Sequence, residues 1–242
     1  MQYDILHICC MFESIDLYFR IGIRIFCINL PYDHYTTPSI NPLLSFPSHC
    51  AKMATMKDRE KTLPLIVRFF RHLSTVNHHR YAVMKNCFAC GLYYQGLTHD
   101  LSKYAPSEFL VSVKYFQGYR SPYMKEKELK GYSLGWLHHK GRNRHHWEYW
   151  YDTINGVFGP QRMPYKYLVE SVCDRVAACM TYEKNEYTKA SALNYFATRP
   201  DKRYMHPETA EEMEKMLKLI ADVGEKEAFK TFKKELKTGR KY

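Results

Sequence analysis

An all-α helical bundle is the fold class this 242-residue sequence predicts, and three observations carry it. From Lys57 onward apolar residues recur at three- and four-residue spacing, as one face of a helix requires. No stretch in that region alternates convincingly with period two. Prolines stand where helices would begin, at Pro106, Pro164 and Pro207.

Taken in order, Leu65, Phe69, His72 and Leu73 share one helical face, and Asn77 to Leu92 is a second helix-compatible stretch with Tyr81, Met84, Phe88 and Leu92 along one side. A short helix is expected from Tyr94 to Lys103, and another from Pro106 with Phe109, Leu110, Val113 and Phe116 apolar. Gly118 to Pro122 reads as a turn. Leu134 to His139 and His145 to Ile154 read as helical pieces flanking Gly141-Arg142-Asn143. Pro164 opens a strong helix to about Glu183, with Leu168, Val172, Val176, Cys179 and Met180 as its stripe. Pro207 to Val223 follows, its core face Met213, Met216, Leu217 and Ile220, with Glu208, Glu211 and Glu212 favourable near its start. Gly224 ends it, and Glu225 to Leu236 is the last amphipathic helix.

Residues 1–55 differ from the rest. They hold four prolines and seven charged residues, with a net charge of −1, leaving +12 for the remainder. The apolar run Ile21 to Leu30 is broken by Arg24 and is too short to span a bilayer. Asp4 and Glu13 stand where a signal peptide needs a basic start. These residues are expected to be an extension outside the core, with the natural start at Met53 or Met56, or else an appendage with a short strand at Arg20–Phe26. The expected domain is 56–242.

Hydrophobic content of 45% with 25% charged residues excludes wholesale disorder. The formal net charge of +11 favours anionic partners, such as nucleic acid, nucleotides, phosphate esters or acidic membranes, without choosing among them. Eight scattered cysteines are too few for a disulfide scaffold and suit reduced thiols in the cytoplasm. Cys87 and Cys90 form a C-x-x-C spacing without the second pair a zinc ribbon needs, so core packing is expected of them. No phosphate-binding glycine loop is present.

Chemistry concentrates in the histidines. Seven of the twelve lie between His78 and His146. His99-Asp100 sits among apolar residues, and Asp174 lies mid-helix with small neighbours Ser171, Ala177 and Ala178 a turn away. A carboxylate half-buried there is costly unless it is paired or binds a metal; taken alone, Asp174 reads first as a structural salt-bridge partner of Arg175 or a distant lysine. His79 stands twenty residues before His99, a separation that two antiparallel helices can bring face to face. His138-His139 and His145-His146 bracket a basic run. If helical turns persist, His139, Asn143 and His146 share a face; a bend at Gly141 would instead fold the second pair back on the first. One histidine of each pair, including His78/His79, should point inward, and His139 and His146 are favoured. Trp136, Trp147 and Trp150 argue for burial of this segment. Glu148 is a candidate partner for a histidine N–H. Imidazole and carboxylate together suit one or two divalent transition metals: Mn, Fe, Zn, Co or Ni.

The order His79, His99-Asp100, His139, His146, Asp174, within "HHRYAV", "GLTHDLSKY", "WLHHKGRNRHHWEYW" and "SVCDRVAA", resembles the HD-domain metal-dependent phosphohydrolase superfamily, and more closely an uncharacterised bacterial and phage branch of it. The resemblance covers roughly residues 70–185. It implies a helical bundle with a central metal site. His79, His99, Asp100 and Asp174 would hold a first metal, and Asp100 would bridge to a second held by His139 and His146. Lys103 matches a lysine that many members set against substrate, so Lys103 and Asp100 are the catalytic candidates. The implied activity is hydrolysis of a phosphate ester, such as a nucleotide, with Arg142 or Arg144 assisting. Two alternatives stand beside it. Relatives with six His/Asp ligands hold two irons and oxidise their substrates. A basic chain with 21 tyrosines could instead bind nucleic acid without catalysis.

Overall fold

The computed structural model describes residues 63–242, and there the chain is an all-α helical bundle with one small hairpin. The expectation for residues 1–55 lies outside the described residues. Between Leu65 and Ala89 no proline or glycine interrupts the chain, so the two expected helical pieces merge into one 25-residue helix, α1. Its buried stripe is His72, Val76, His79, Val83 and Cys87. Two histidines thus stand where a helix of this kind would bury apolar side chains. Short α2 (Tyr93–Thr98) folds back on α1. A Cβ at Gly96 would lie 3.0 Å from the Phe88 ring and 3.1 Å from Cys87, so the absence of a side chain permits that approach.

The helix expected from Tyr94 to Lys103 breaks at His99-Asp100. His99 is extended, and Asp100 adopts the left-handed conformation at φ 52°. A 3₁₀ turn, Leu101–Tyr104, then leads into α3 (Pro106–Tyr115). Left-handed backbone is uncommon outside glycine, with Asp among the residues that tolerate it, and such strain concentrates at functional sites.

Helix α4 (Pro122–Lys130) begins where only a turn was expected, with proline in its first turn. Helix α5 (Leu134–Arg142) is capped by Ser133, whose hydroxyl accepts from the Trp136 amide. A Cβ on Gly135 would come within 2.9 Å of the Tyr123 ring, so glycine lets α5 settle there. The expected helical piece His145 to Ile154 is corrected: a 3₁₀ turn at Trp147–Trp150 runs into strand β1 (Tyr151–Ile154), paired antiparallel with β2 (Val157–Pro160). Asn155 and Gly156 both have positive φ, the conformation a tight two-residue hairpin demands.

Helix α6 (Tyr165–Glu183) is the central element, packed against α1 and burying Leu168, Val172 and Val176 completely or nearly so. It is followed by α7 (Ser191–Thr198), not anticipated from the sequence, and by α8 (Pro207–Val223) and α9 (Glu225–Lys237), which lie close to expectation. Met213, Leu217 and Ile220 of α8 meet Phe229 and Phe232 of α9 in the same apolar cluster as Val83, Cys87 and Val176. No helix among the described residues is long and apolar enough to cross a membrane.

Candidate metal centre

Where α1, the His99-Asp100 turn, the end of α5 and α6 converge, buried histidines and carboxylates form groups that can hold a metal ion. The first group is His79, His99, Asp100 and Asp174. The second is Asp100, His139, His145 and His146. Within each group, ligand atoms all lie within 4.8 Å of one another. Every metal candidate named from the sequence therefore stands in one of these two groups, and Asp100 stands in both.

In the first group, His79 Nε2 lies 2.9 Å from Asp174 Oδ1, and His99 Nε2 lies 3.4 Å from Asp100 Oδ2 and 3.6 Å from Asp174 Oδ1. Asp174 is thus the partner of His79, not of Arg175 or a distant lysine. In the second group, His139 and His145 bring Nε2 to 3.4 and 3.5 Å from Asp100 Oδ1. The Asp100 carboxylate turns one oxygen to each group. Oδ2 also pairs with Lys103 Nζ, at 2.6 Å.

Of the histidine pairs, His79 is buried and His78 exposed, and His139 is buried while His138 is half-exposed. The third pair departs from the one-in, one-out expectation. His145 and His146 both present Nε2 to the interior, and neither atom has a hydrogen-bond partner. The geometry behind this is a bend, placed two residues after Gly141. Helix α5 ends at Arg142, and extended Asn143 donates from Nδ2 to His139 O and Ser102 Oγ, each at 2.8 Å. His139, Asn143 and His146 therefore do not lie on one continuous helix.

Outer hydrogen bonds orient the rings. Glu108 Oε2 accepts from His139 Nδ1 at 2.9 Å, and its other oxygen contacts His138. Glu170 Oε1 accepts from His99 Nδ1 at 2.9 Å. Glu148, a candidate for such a role, instead lines the neighbouring cavity with a buried, unpartnered Oε2, and burial pushes its carboxyl upward. Arg80 was also missed. Its guanidinium donates to His99 O at 2.8 Å, Leu97 O at 3.1 Å and Tyr104 OH at 3.0 Å, clamping the left-handed turn. Its only sequence signal is its place directly after His79.

The electrostatics favour a cation. Burial, reinforced by nearby positive charge, holds His79 and His146 below the ordinary histidine range and leaves their rings neutral. His139 is lowered by burial too. Burial opposes charge on His99, yet the Asp100, Asp174 and Glu170 carboxylates hold its imidazole well above that range. Asp100 and Asp174 stay ionised against burial, Asp100 through His99 and Lys103, Asp174 through His79 and His99. Four buried atoms make no hydrogen bond: His99 Nε2, Asp100 Oδ1, His145 Nε2 and His146 Nε2. Orphaned buried donors and acceptors are rare, and these converge from several elements on the ligand side of the groups. The donor set, imidazole with carboxylate, suits a divalent transition metal.

The centre opens on a cavity of about 410 Å³, lined at its floor by His79, Asp100, His139, His146 and Asp174. That volume lies in the range of small-molecule sites. Its cationic lining is Lys103, Arg120, Arg175 and Arg199. Arg142 and Arg144 do not line it. Both are exposed, and Arg144 donates to the Tyr167 hydroxyl at 2.9 Å. Cys87 and Cys90 are buried in the apolar core, with Cys90 Sγ 3.7 Å from Cys173 Sγ.

A family model covers residues 68–219, a span that includes every residue of both groups. The chain belongs to the family of unknown function DUF5662. Comparisons with curated proteins and with solved structures return no match. Family membership therefore names no activity, and function has to be argued from the centre itself.

Proposed function

We propose that this member of the family is an HD-type metal-dependent phosphohydrolase acting on a small phosphate ester, such as a nucleotide. The observation that supports this most is the single Asp100 carboxylate, one oxygen facing His99 and Lys103, the other facing His139 and His145. A carboxylate so placed suits two adjacent cations. Divalent ions held by His79, His99, Asp100 and Asp174, and by Asp100, His139, His145 and His146, would supply Lewis acidity for transfer of a phosphoryl group to water.

The chain's own residues supply the rest. Lys103 remains an ammonium group because the Asp100 carboxylate outweighs its burial, so it offers positive charge where a phosphate oxygen would sit. Arg175, whose Nε has no partner, and Arg199 add charge on the cavity wall. Trp136 and Tyr123 wall the side next to His139 and limit access of bulk water. A cavity of this volume suits a small anion better than a polymer. The free thiols among the described residues, Cys87, Cys90, Cys173 and Cys179, fit a reducing, cytoplasmic setting.

Protein purified without a histidine tag, loaded with Mn, Zn or Fe, should hydrolyse members of a nucleotide and phosphomonoester panel. Lys103→Met should lower kcat/KM by roughly 10- to 100-fold with metal content unchanged. Hydrolysis that persists unchanged in Asp100→Ala would reject the assignment. Two bound irons with substrate oxidation and no phosphate release would replace it with oxygenase chemistry.

A further inference from the structure

A third grouping lies behind the first two: His99, His145 and Glu170. Its distances differ in kind, because they involve the opposite edge of each ring. Glu170 Oε1 is 2.9 Å from His99 Nδ1 and 3.2 Å from His145 Nδ1. The two rings lie side by side above it, centroids 4.3 Å apart and tilted by 35°. Their Nε2 atoms, on the far edge, are buried without a hydrogen bond.

An ionised carboxylate only accepts, so a ring contacting Glu170 through Nδ1 donates from there, which leaves Nε2 as the nitrogen that can bind a cation in place of any proton it carries. His99 presents that nitrogen in the first group and His145 presents it in the second. Glu108 stands in the same relation to one ring of the second group, His139, at 2.9 Å, while its other oxygen contacts His138, which belongs to neither group. A cation bound directly by Glu170 and the two Nδ1 atoms is the competing arrangement, but it would leave the four inward-facing orphan atoms unexplained.

We infer that Glu170 is a positioning residue common to both cation positions, fixing the tautomer and aim of one histidine in each, whereas Glu108 serves the second position only. The inference rests on the two groups being metal sites, and it makes Glu170 the element that joins their loading. Outer-shell partners of this kind typically change metal affinity by 10- to 100-fold.

The test is calorimetric titration of Zn²⁺ into metal-stripped wild type, Glu170→Gln and Glu108→Gln, with bound metal counted by elemental analysis. Wild type should take two ions. Glu170→Gln should weaken both binding steps by roughly 10- to 100-fold, and Glu108→Gln one step only. Equal weakening by the two variants, or a Glu170→Gln effect on one step or none, overturns the inference while leaving the metal sites intact. A wild type that binds fewer than two ions overturns it together with the two-metal reading. Folding of the variants does not limit the test, because ¹⁵N resonances of the zinc-loaded wild type report the same thing. His99 and His145 protonated on Nδ1 support the inference, and either ring coordinated through Nδ1 overturns it.

Discussion

The two groups of the centre are built on different kinds of backbone. The first takes His79 and Asp174 from the interiors of α1 and α6, long helices packed along each other, so helix packing fixes their separation. The second takes His139 from the end of nine-residue α5, and His145 and His146 from non-helical chain beyond it. Side chains hold that segment: Asn143 across to Ser102, Glu108 beneath His139, and Trp136 with its ring centroid 4.9 Å from that of His146. The first group inherits its geometry from secondary structure. The second depends on hydrogen bonds and ring packing, each worth about 1 kcal/mol. Disturbances away from the ligands should therefore reach the second group first.

The largest effect should erase the comparison. Asp100 belongs to both groups, so Asp100→Ala is expected to abolish binding of both ions and to reduce phosphohydrolase activity on the order of a thousandfold or more. Elemental analysis and a steady-state assay check it; one ion retained at full occupancy would show that the carboxylate is not shared.

Splitting the pair comes next. Asp174→Ala should remove the ion of the first group and His139→Ala that of the second, each leaving about one ion per chain by elemental analysis. Asp174→Ala also removes the 2.9 Å partner of buried His79, costing the metal-free protein roughly 1–3 kcal/mol in denaturant unfolding. The same ion count and affinity in both variants, with the same ligand spectrum for cobalt as a substitute metal, would mean that the groups are not independent.

The same contrast governs what could be read from the chain. Asp174 was legible as a carboxylate inside an apolar helical stripe and His99-Asp100 as ionisable residues among apolar neighbours, where burial without a partner is costly, and His79 through its twenty-residue separation from His99. A bend near Gly141 was legible too, but not that it aims both His145 and His146 inward, since that depends on Asn143 finding Ser102, 41 residues earlier. Glu108 and Glu170 escaped notice because glutamate on a helix ordinarily faces water, and near a helix start it reads as a dipole partner. Glu170 carried one usable sign: it falls one turn before Asp174, between Val169 and Ser171, both buried. The hairpin had its sign as well, Asn155-Gly156, outweighed by an aromatic run that also fits a helix. The arginines lining the cavity come from α6 and from segments without apolar periodicity, and only tertiary packing assembles them.

A smaller perturbation separates the groups without touching a ligand. A Cβ at residue 135 would stand 2.9 and 3.2 Å from the Tyr123 ring, tighter than packed atoms tolerate. Tyr123 stacks near His139, with centroids 5.7 Å apart, and its hydroxyl donates to Glu108 at 3.3 Å. Gly135→Ala should cost about 1–3 kcal/mol by overpacking, read from denaturant unfolding, and should weaken only the second metal-binding step. An equal change in both steps would show that α5 and α6 move together.

The smallest expected effect tests the turn that the groups share. Arg80 donates to two carbonyls beside the left-handed Asp100 and to Tyr104, which in turn donates to Asn77 Oδ1 at 2.6 Å. Arg80→Met keeps the aliphatic stem and removes these bonds, two of them in a partly exposed setting, so a loss of about 1–2 kcal/mol in unfolding free energy is expected. Because the clamp acts on backbone that carries both His99 and Asp100, its loss should weaken the two metal-binding steps by similar small factors. A change confined to the second step would place the clamp's influence on α5, and would mean that the helices α1 and α6 alone hold the first group in place.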